Sequence, residues 1–251
     1  MAADFSARVL LRDVAIVGGG CYGTFYARQL IQARERGKAD FRRLLVIDRD
    51  PECRFAREVG PADGAELAVD EWDRFFDRWL DRNDDGAGDA IVPSPLMPHL
   101  MFGWLSRRAS ARWPGRLVEH RPLEPDAETP YDMLAPDGTR YVSFADWLCP
   151  VHCIEPAVCP VIRGPRSWEI SEAAERLVER RSGRAPSAGP VLFVCRHRVH
   201  GVGMFDVSSV LAGDAAVARA GAGGEVGVVV GTVSACHGAL SLLHLGGGPA
   251  W

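Results

Sequence analysis

Three thiols and an imidazole fall within eleven residues in the stretch Cys149-Pro-Val-His152-Cys153-Ile-Glu155-Pro-Ala-Val-Cys159-Pro160. Thiolate and imidazole are the ligands that zinc and iron–sulfur centres take. Three prolines deny the stretch a regular helix or strand, so a stiff loop could aim several side chains at one point. Cys-Pro occurs twice, and a Cys-Pro pair also closes one cluster-binding motif. The spacing C-x3-C-x5-C matches neither that motif nor a pair of zinc knuckles. Metal or cluster binding, thiol redox or nucleophilic chemistry, and plain structural cysteines all stay open.

More thiols and imidazoles follow two apolar runs. Cys195 and His197 come after residues 191–194, and Cys236 and His237 after residues 226–233. A doubly wound sheet binds ligands beyond the carboxyl ends of its strands. If these two strands run parallel to the first one, both groups lie on the same edge. A 149–159 loop folded over that edge would bring its thiols to Cys195 or Cys236. The candidate metal ligands are therefore Cys149, His152, Cys153, Cys159, Cys195, His197, Cys236 and His237.

The strongest pattern is Gly18-Gly19-Gly20-Cys21-Tyr22-Gly23, which fits G-x-G-x-x-G. The first glycine permits a tight turn, the second lets a pyrophosphate approach the backbone, and the third lets helix and strand pack closely. The following helix start supplies free amides and partial positive charge. Asp48, at the end of the next apolar run, is placed to accept hydrogen bonds from ribose hydroxyls. Its charge repels a 2′-phosphate, which favours NAD or FAD, although Arg49 beside it keeps NADP open. The run VAIVGGGCYGTFYARQL resembles the NAD(P)/FAD-binding Rossmann superfamily, and flavoprotein N-termini most of all. The resemblance covers about residues 13–50 and implies a βαβ unit that holds a dinucleotide. The same fold without a cofactor is the alternative.

The elements that would position these groups can be read from periodicity. Residues 14–17 and 44–47 are short buried strands, joined by a helix from Tyr22 to about Arg36. Trp72, Phe75, Phe76, Trp79 and Leu80 recur at helical spacing and predict an amphipathic helix whose stripe is core or walls a pocket. A second helix contains Leu100, Met101, Trp104 and Leu105. Residues 121–136 read as irregular surface chain and 139–144 as a strand. Later come a helix over 167–181, a strand over 191–194, a helix over 207–220, a strand over 226–233 and a short helix over 238–245. This predicts one α/β domain over residues 1–251: a doubly wound, Rossmann-like parallel sheet with a helical and irregular cap inserted at about residues 60–165.

Composition excludes several classes. The chain has 251 residues and a formal net charge of −4, with its cations dispersed, so no nucleic-acid or membrane partner is expected. The N-terminus lacks an apolar core of signal-peptide type, and no run of about 18 apolar residues occurs, which points to the cytoplasm. Seven cysteines then read as thiols or ligands rather than a disulfide framework. Asp81-Arg-Asn83-Asp-Asp85-Gly86 matches half an EF-hand loop, but Val92 stands where the bidentate acid belongs, so it reads as an Asx-rich turn. There is no G-x-S-x-G, Walker loop or H-E-x-x-H. The function these features suggest is a dinucleotide-dependent oxidoreductase with a Cys/His zinc or iron–sulfur site near the cofactor, acting on a small-molecule substrate or a redox partner protein. A non-catalytic sensor or accessory protein that binds a nucleotide and a metal is the alternative.

Overall fold

The computed structural model describes residues 8–247 except 62–63, 82–83, 96, 98 and 151–152. Two compact units emerge: one comprises Met1–Pro98 and Arg196–Ser208, the other His99–Cys195 and Ser209–Trp251. The fold is mixed α/β.

The first unit opens with β1 (Val9–Leu10), β2 (Asp13–Val17), α1 (Cys21–Glu35), β3 (Ala39–Asp40) and β4 (Arg43–Asp48). It continues with α2 (Arg54–Glu58), β5 (Ala65–Val69), α3 (Trp72–Leu80) and β6 (Ala90–Val92). Every residue of β2 is buried, as an interior parallel strand covered on both faces requires. Strand β2 pairs in parallel with β4 on one side and β6 on the other, and β4 pairs in parallel with β5. Ala27, Leu30 and Ala33 of α1 pack with Val14, Ile16, Leu44 and Val46 in one core.

In the second unit the chain forms α4 (Leu100–Arg112), β7 (Val118–Arg121), β8 (Tyr131–Leu134) and β9 (Arg140–Ser143). After these come the small hairpin β10 (Val158–Cys159) and β11 (Gly164–Pro165), then α5 (Ile170–Ser182) and β12 (Ser187–Val194). Strands β13 (Arg196–Val199) and β14 (Val202–Asp206) belong to the first unit, where β14 runs antiparallel to β6. The first sheet is thus β13-β14-β6-β2-β4-β5. Helix α6 (Val207–Ala222) precedes β15 (Val226–Val233) and β16 (His237–Leu245), which complete the second sheet, β12-β15-β16-β9-β8 with β7 also on β16. Helix α5 buries Ile170, Ala173, Ala174, Leu177 and Val178, a helical stripe. Leu177→Ala there would cost about 2–5 kcal/mol.

Several sequence expectations change. Where one sheet is expected, the described residues form two six-stranded sheets and two small two-stranded ones (β1-β3 and β10-β11), and the strands at 191–194 and 226–233 lie in the second large sheet, not beside β2. The stretch 60–165 is not one insertion: β5 and β6 are parallel strands of the first sheet, whereas 99–165 builds the second unit. The short helix expected over 238–245 is strand β16. A continuous apolar run suits a buried helix or a buried strand equally. Here the turn at 234–236 returns the chain antiparallel to β15, and β7 and β9 pair with the other edge of β16. The segment read as irregular at 121–136 contains β8.

Candidate functional site

In the first unit, the turn after β2 gives its glycines different tasks. Gly18 has φ +87°, in the left-handed region, and its amide donates to the Ile47 carbonyl at 2.8 Å. The Trp72 indole donates to the same carbonyl at 3.0 Å. A Cβ on Gly19 would lie 2.4 Å from the Cys53 sulfur. A Cβ on Gly23 would lie 1.7 Å from the Gly18 carbonyl oxygen, so α1 can approach β2 only with glycine here. At Gly20, in contrast, an added Cβ meets nothing within 4 Å. Gly20 is the N-cap of α1 and no side chain caps the helix. The amides of the first turn therefore remain for water or a ligand. Cys21 and Tyr22 are exposed on that turn.

Asp48 stands at the end of β4 and braces the turn directly. One carboxylate oxygen accepts the Gly19 amide at 2.7 Å, and the other accepts the Asp50 amide at 3.0 Å. A carboxylate offers about four acceptor positions, which leaves two for a ligand's hydroxyls. Arg49 next to it is exposed. The Gly19 carbonyl accepts the Phe55 amide of α2 at 2.8 Å and the Thr24 hydroxyl at 3.1 Å. Cys53 and Trp72 wall this turn; the sequence offers Trp72 only within the stripe that could wall a pocket and gives no sign of Cys53. Their role follows from contacts between distant segments.

In the second unit, Cys149, Cys153 and Cys159 lie on the 149–159 segment, which is tied to the turn ending at Cys236. Hydrogen bonds show how the loop is tied down. Glu155 occupies the left-handed region at φ +51°. Its amide donates to the Cys153 sulfur at 3.4 Å. Its carboxylate accepts the Ser234 hydroxyl at 2.6 Å and the Ala235 amide at 2.9 Å, immediately before Cys236. The Trp168 indole donates to the Cys236 sulfur at 3.3 Å. Cys159 is fixed by the β10–β11 hairpin. Burial pushes the Cys149 thiol up, and burial likewise lifts Cys236 to about 11 against the pull of Trp168 and Arg166.

The remaining predicted ligands sit on the following elements. His197 belongs to β13 in the first unit, while the loop thiols belong to the second. The Cys195 amide donates to the Val233 carbonyl at 2.7 Å. The His237 Nδ1 is 2.9 Å from the Ser143 hydroxyl. His152 lies outside the described residues. Among the described residues, no three His, Cys, Asp or Glu side chains are gathered as tightly as a single bound ion requires. Asp84 and Asp85 close local turns onto Gly86 and Ala87, as an Asx-rich segment does, and Asp84 also pairs with Arg12. Among the described residues, no helix is long and apolar enough to cross a membrane.

A family model described as "Uncharacterized protein, C-terminal domain" (AF_1314_C) matches residues 101–246. The chain belongs to that family. The matched span contains Cys149, Cys153, Cys159 and Cys236 and none of the glycine turn. No curated protein and no solved structure matches the chain.

Proposed function

We propose that the chain is an oxidoreductase that binds an adenine dinucleotide, NAD or FAD, on its first unit. The observation that carries this reading is the division of labour among Gly18, Gly20 and Gly23. One turns, one leaves the helix start open, and one admits the helix to the strand. Those are the three tasks a pyrophosphate-binding turn needs. The sheet supports it. Its parallel strands lie in the order β5-β4-β2-β6, which is 3-2-1-4 in order of appearance, and the glycine turn follows the strand where that order reverses. Ligands of open α/β sheets bind at such a switch point.

In this reading the first-turn amides of α1 hold the pyrophosphate. Asp48 keeps Gly19 in place and accepts the adenosine ribose hydroxyls. Its carboxylate disfavours the 2′-phosphate of NADP. The cofactor supplies hydride or electron transfer and the protein orients it.

Protein purified without added nucleotide and then denatured in acid should release NAD or FAD, identified by mass spectrometry and flavin fluorescence. Turnover of a reduced dinucleotide supports the enzyme. Binding without any turnover would replace it by an accessory role, and a supernatant free of dinucleotide together with no uptake on addition would end the reading.

A further inference from the structure

We propose that Trp72 is the residue on which the dinucleotide's adenine stacks, so that the first unit reads the base as well as the phosphates. The inference rests on the nucleotide reading and deepens it by naming the side chain that recognises the ligand's planar end.

Three groups meet at two consecutive residues, Ile47 and Asp48, at the end of β4. The Ile47 carbonyl accepts the Gly18 amide at 2.8 Å and the Trp72 indole N–H at 3.0 Å. The Asp48 carboxylate accepts the Gly19 amide at 2.7 Å, and the Asp48 carbonyl accepts the Asp70 amide at 3.0 Å, two residues before Trp72. The glycine turn, the carboxylate and the indole are therefore fixed to one another through one short piece of backbone. A base hangs from its ribose by a single bond, so a ribose held on Asp48 needs a partner for its base close by. Trp72 flanks both Asp48 and the turn. A Cβ on Gly18 would lie 3.5 Å from its Cζ2 atom, the ordinary separation of packed carbons.

The indole is more than filler. Further along the same stripe of α3, Phe76 and Leu80 are buried, whereas Trp72 at the helix start stays partly exposed. Bulk alone could come from leucine there. Tryptophan adds a flat π-face, and its N–H bond to Ile47 has already taken away much of the ring's freedom to rotate. A plate fixed in advance loses little further entropy when a ligand settles on it. Stacking on an aromatic side chain asks only for the π-face that every base has. It therefore complements a turn whose amides recognise phosphate.

The test titrates the full chain with 5′-ADP, which carries the base, and with inorganic pyrophosphate, which does not. Calorimetry reads affinity, and tryptophan emission reads contact with the base. The wild type should bind both probes, and ADP should quench part of the emission. Trp72→Leu keeps apolar bulk and loses the π-face. Its ADP affinity should fall about tenfold or more, the loss of one stacked base, with pyrophosphate affinity unchanged. Trp72→Phe should recover most of the ADP affinity and lose the quenching by ADP. Equal ADP affinity in the wild type and Trp72→Leu overturns this inference and leaves the nucleotide reading standing. Parallel loss of both probes in a folded Trp72→Leu overturns it too, because Trp72 would then only support the turn. Should Trp72→Leu not fold, quenching that survives in Trp72→Phe overturns the assignment. A wild type that binds neither probe overturns both readings.

Discussion

The carbonyl oxygen of Gly18 occupies the place where a side chain on Gly23 would have to stand, 1.7 Å from the position of a Cβ. The contact joins the end of β2 to the first turn of α1, so it sets the distance between strand and helix on which the whole turn depends.

Gly23→Ala should therefore destabilise the first unit by about 3 kcal/mol or more, since backbone cannot move aside as a flexible side chain could. Gly20→Ala should cost about 0.5 kcal/mol or less, because its Cβ points into open space and its φ of −76° suits any residue. Urea denaturation of the two variants side by side checks the contrast. Equal losses would mean that the turn is not built as described.

Asp48 separates bracing from recognition. Asp48→Asn retains an oxygen for the Gly19 amide but loses the charge. It should lower the melting temperature only slightly and narrow the preference for NAD over NADP. Asp48→Ala should reduce both stability and affinity. A competition assay with the two nucleotides reads the first effect, and calorimetric unfolding the second.

His99 predicts how stability changes with pH. Both of its ring nitrogens are buried without a hydrogen-bond partner among the described residues, and it stacks on Phe102 at 5.1 Å. Burial, with a smaller contribution from His120, lowers it from 6.5 to about 3. The unfolded chain binds this proton below pH 6.5 and the folded chain does not until about pH 3. Stability should therefore fall with decreasing pH through that window, by at most about 1.4 kcal/mol per pH unit from this group. His99→Phe should flatten the slope between pH 6 and pH 4, measured by denaturant midpoints (about that range, from the same linkage).

Asp13 acts in a lower window. Burial raises its carboxyl, but hydrogen bonds from Arg42 and Arg43 outweigh that and bring it from 3.8 to about 2. This stabilisation is present above the ordinary carboxylate range and is lost as pH falls toward 2. Asp13→Asn should remove that last acid-dependent loss without altering the slope due to His99.

What the sequence revealed follows from locality. Strands β2 and β4, helix α1 and the glycine turn were legible because their buried β-branched runs and glycine spacing sit within about forty consecutive residues. The cysteine-rich composition of residues 149–159 is legible for the same reason, since it lies within eleven consecutive residues. Strand β16 was misread because its apolar run has no period of its own; its pairing with β15, β9 and β7 decides it. The single expected sheet is split into two large ones because nothing local to residues 191–194 or 226–233 says which strands they will join. Glu155 was visible in the loop, yet its bonds to Ser234 and Ala235 span nearly eighty residues, and no spacing rule reports them.

The most direct test of the account is isothermal titration of NAD+, NADP+ and FAD into the wild-type chain and into Gly20→Val. The account predicts that the wild type binds NAD+ or FAD more tightly than NADP+, and that the variant folds with similar stability but takes up none of them. No uptake of any dinucleotide by the wild type, or unchanged affinity in the variant, would contradict it.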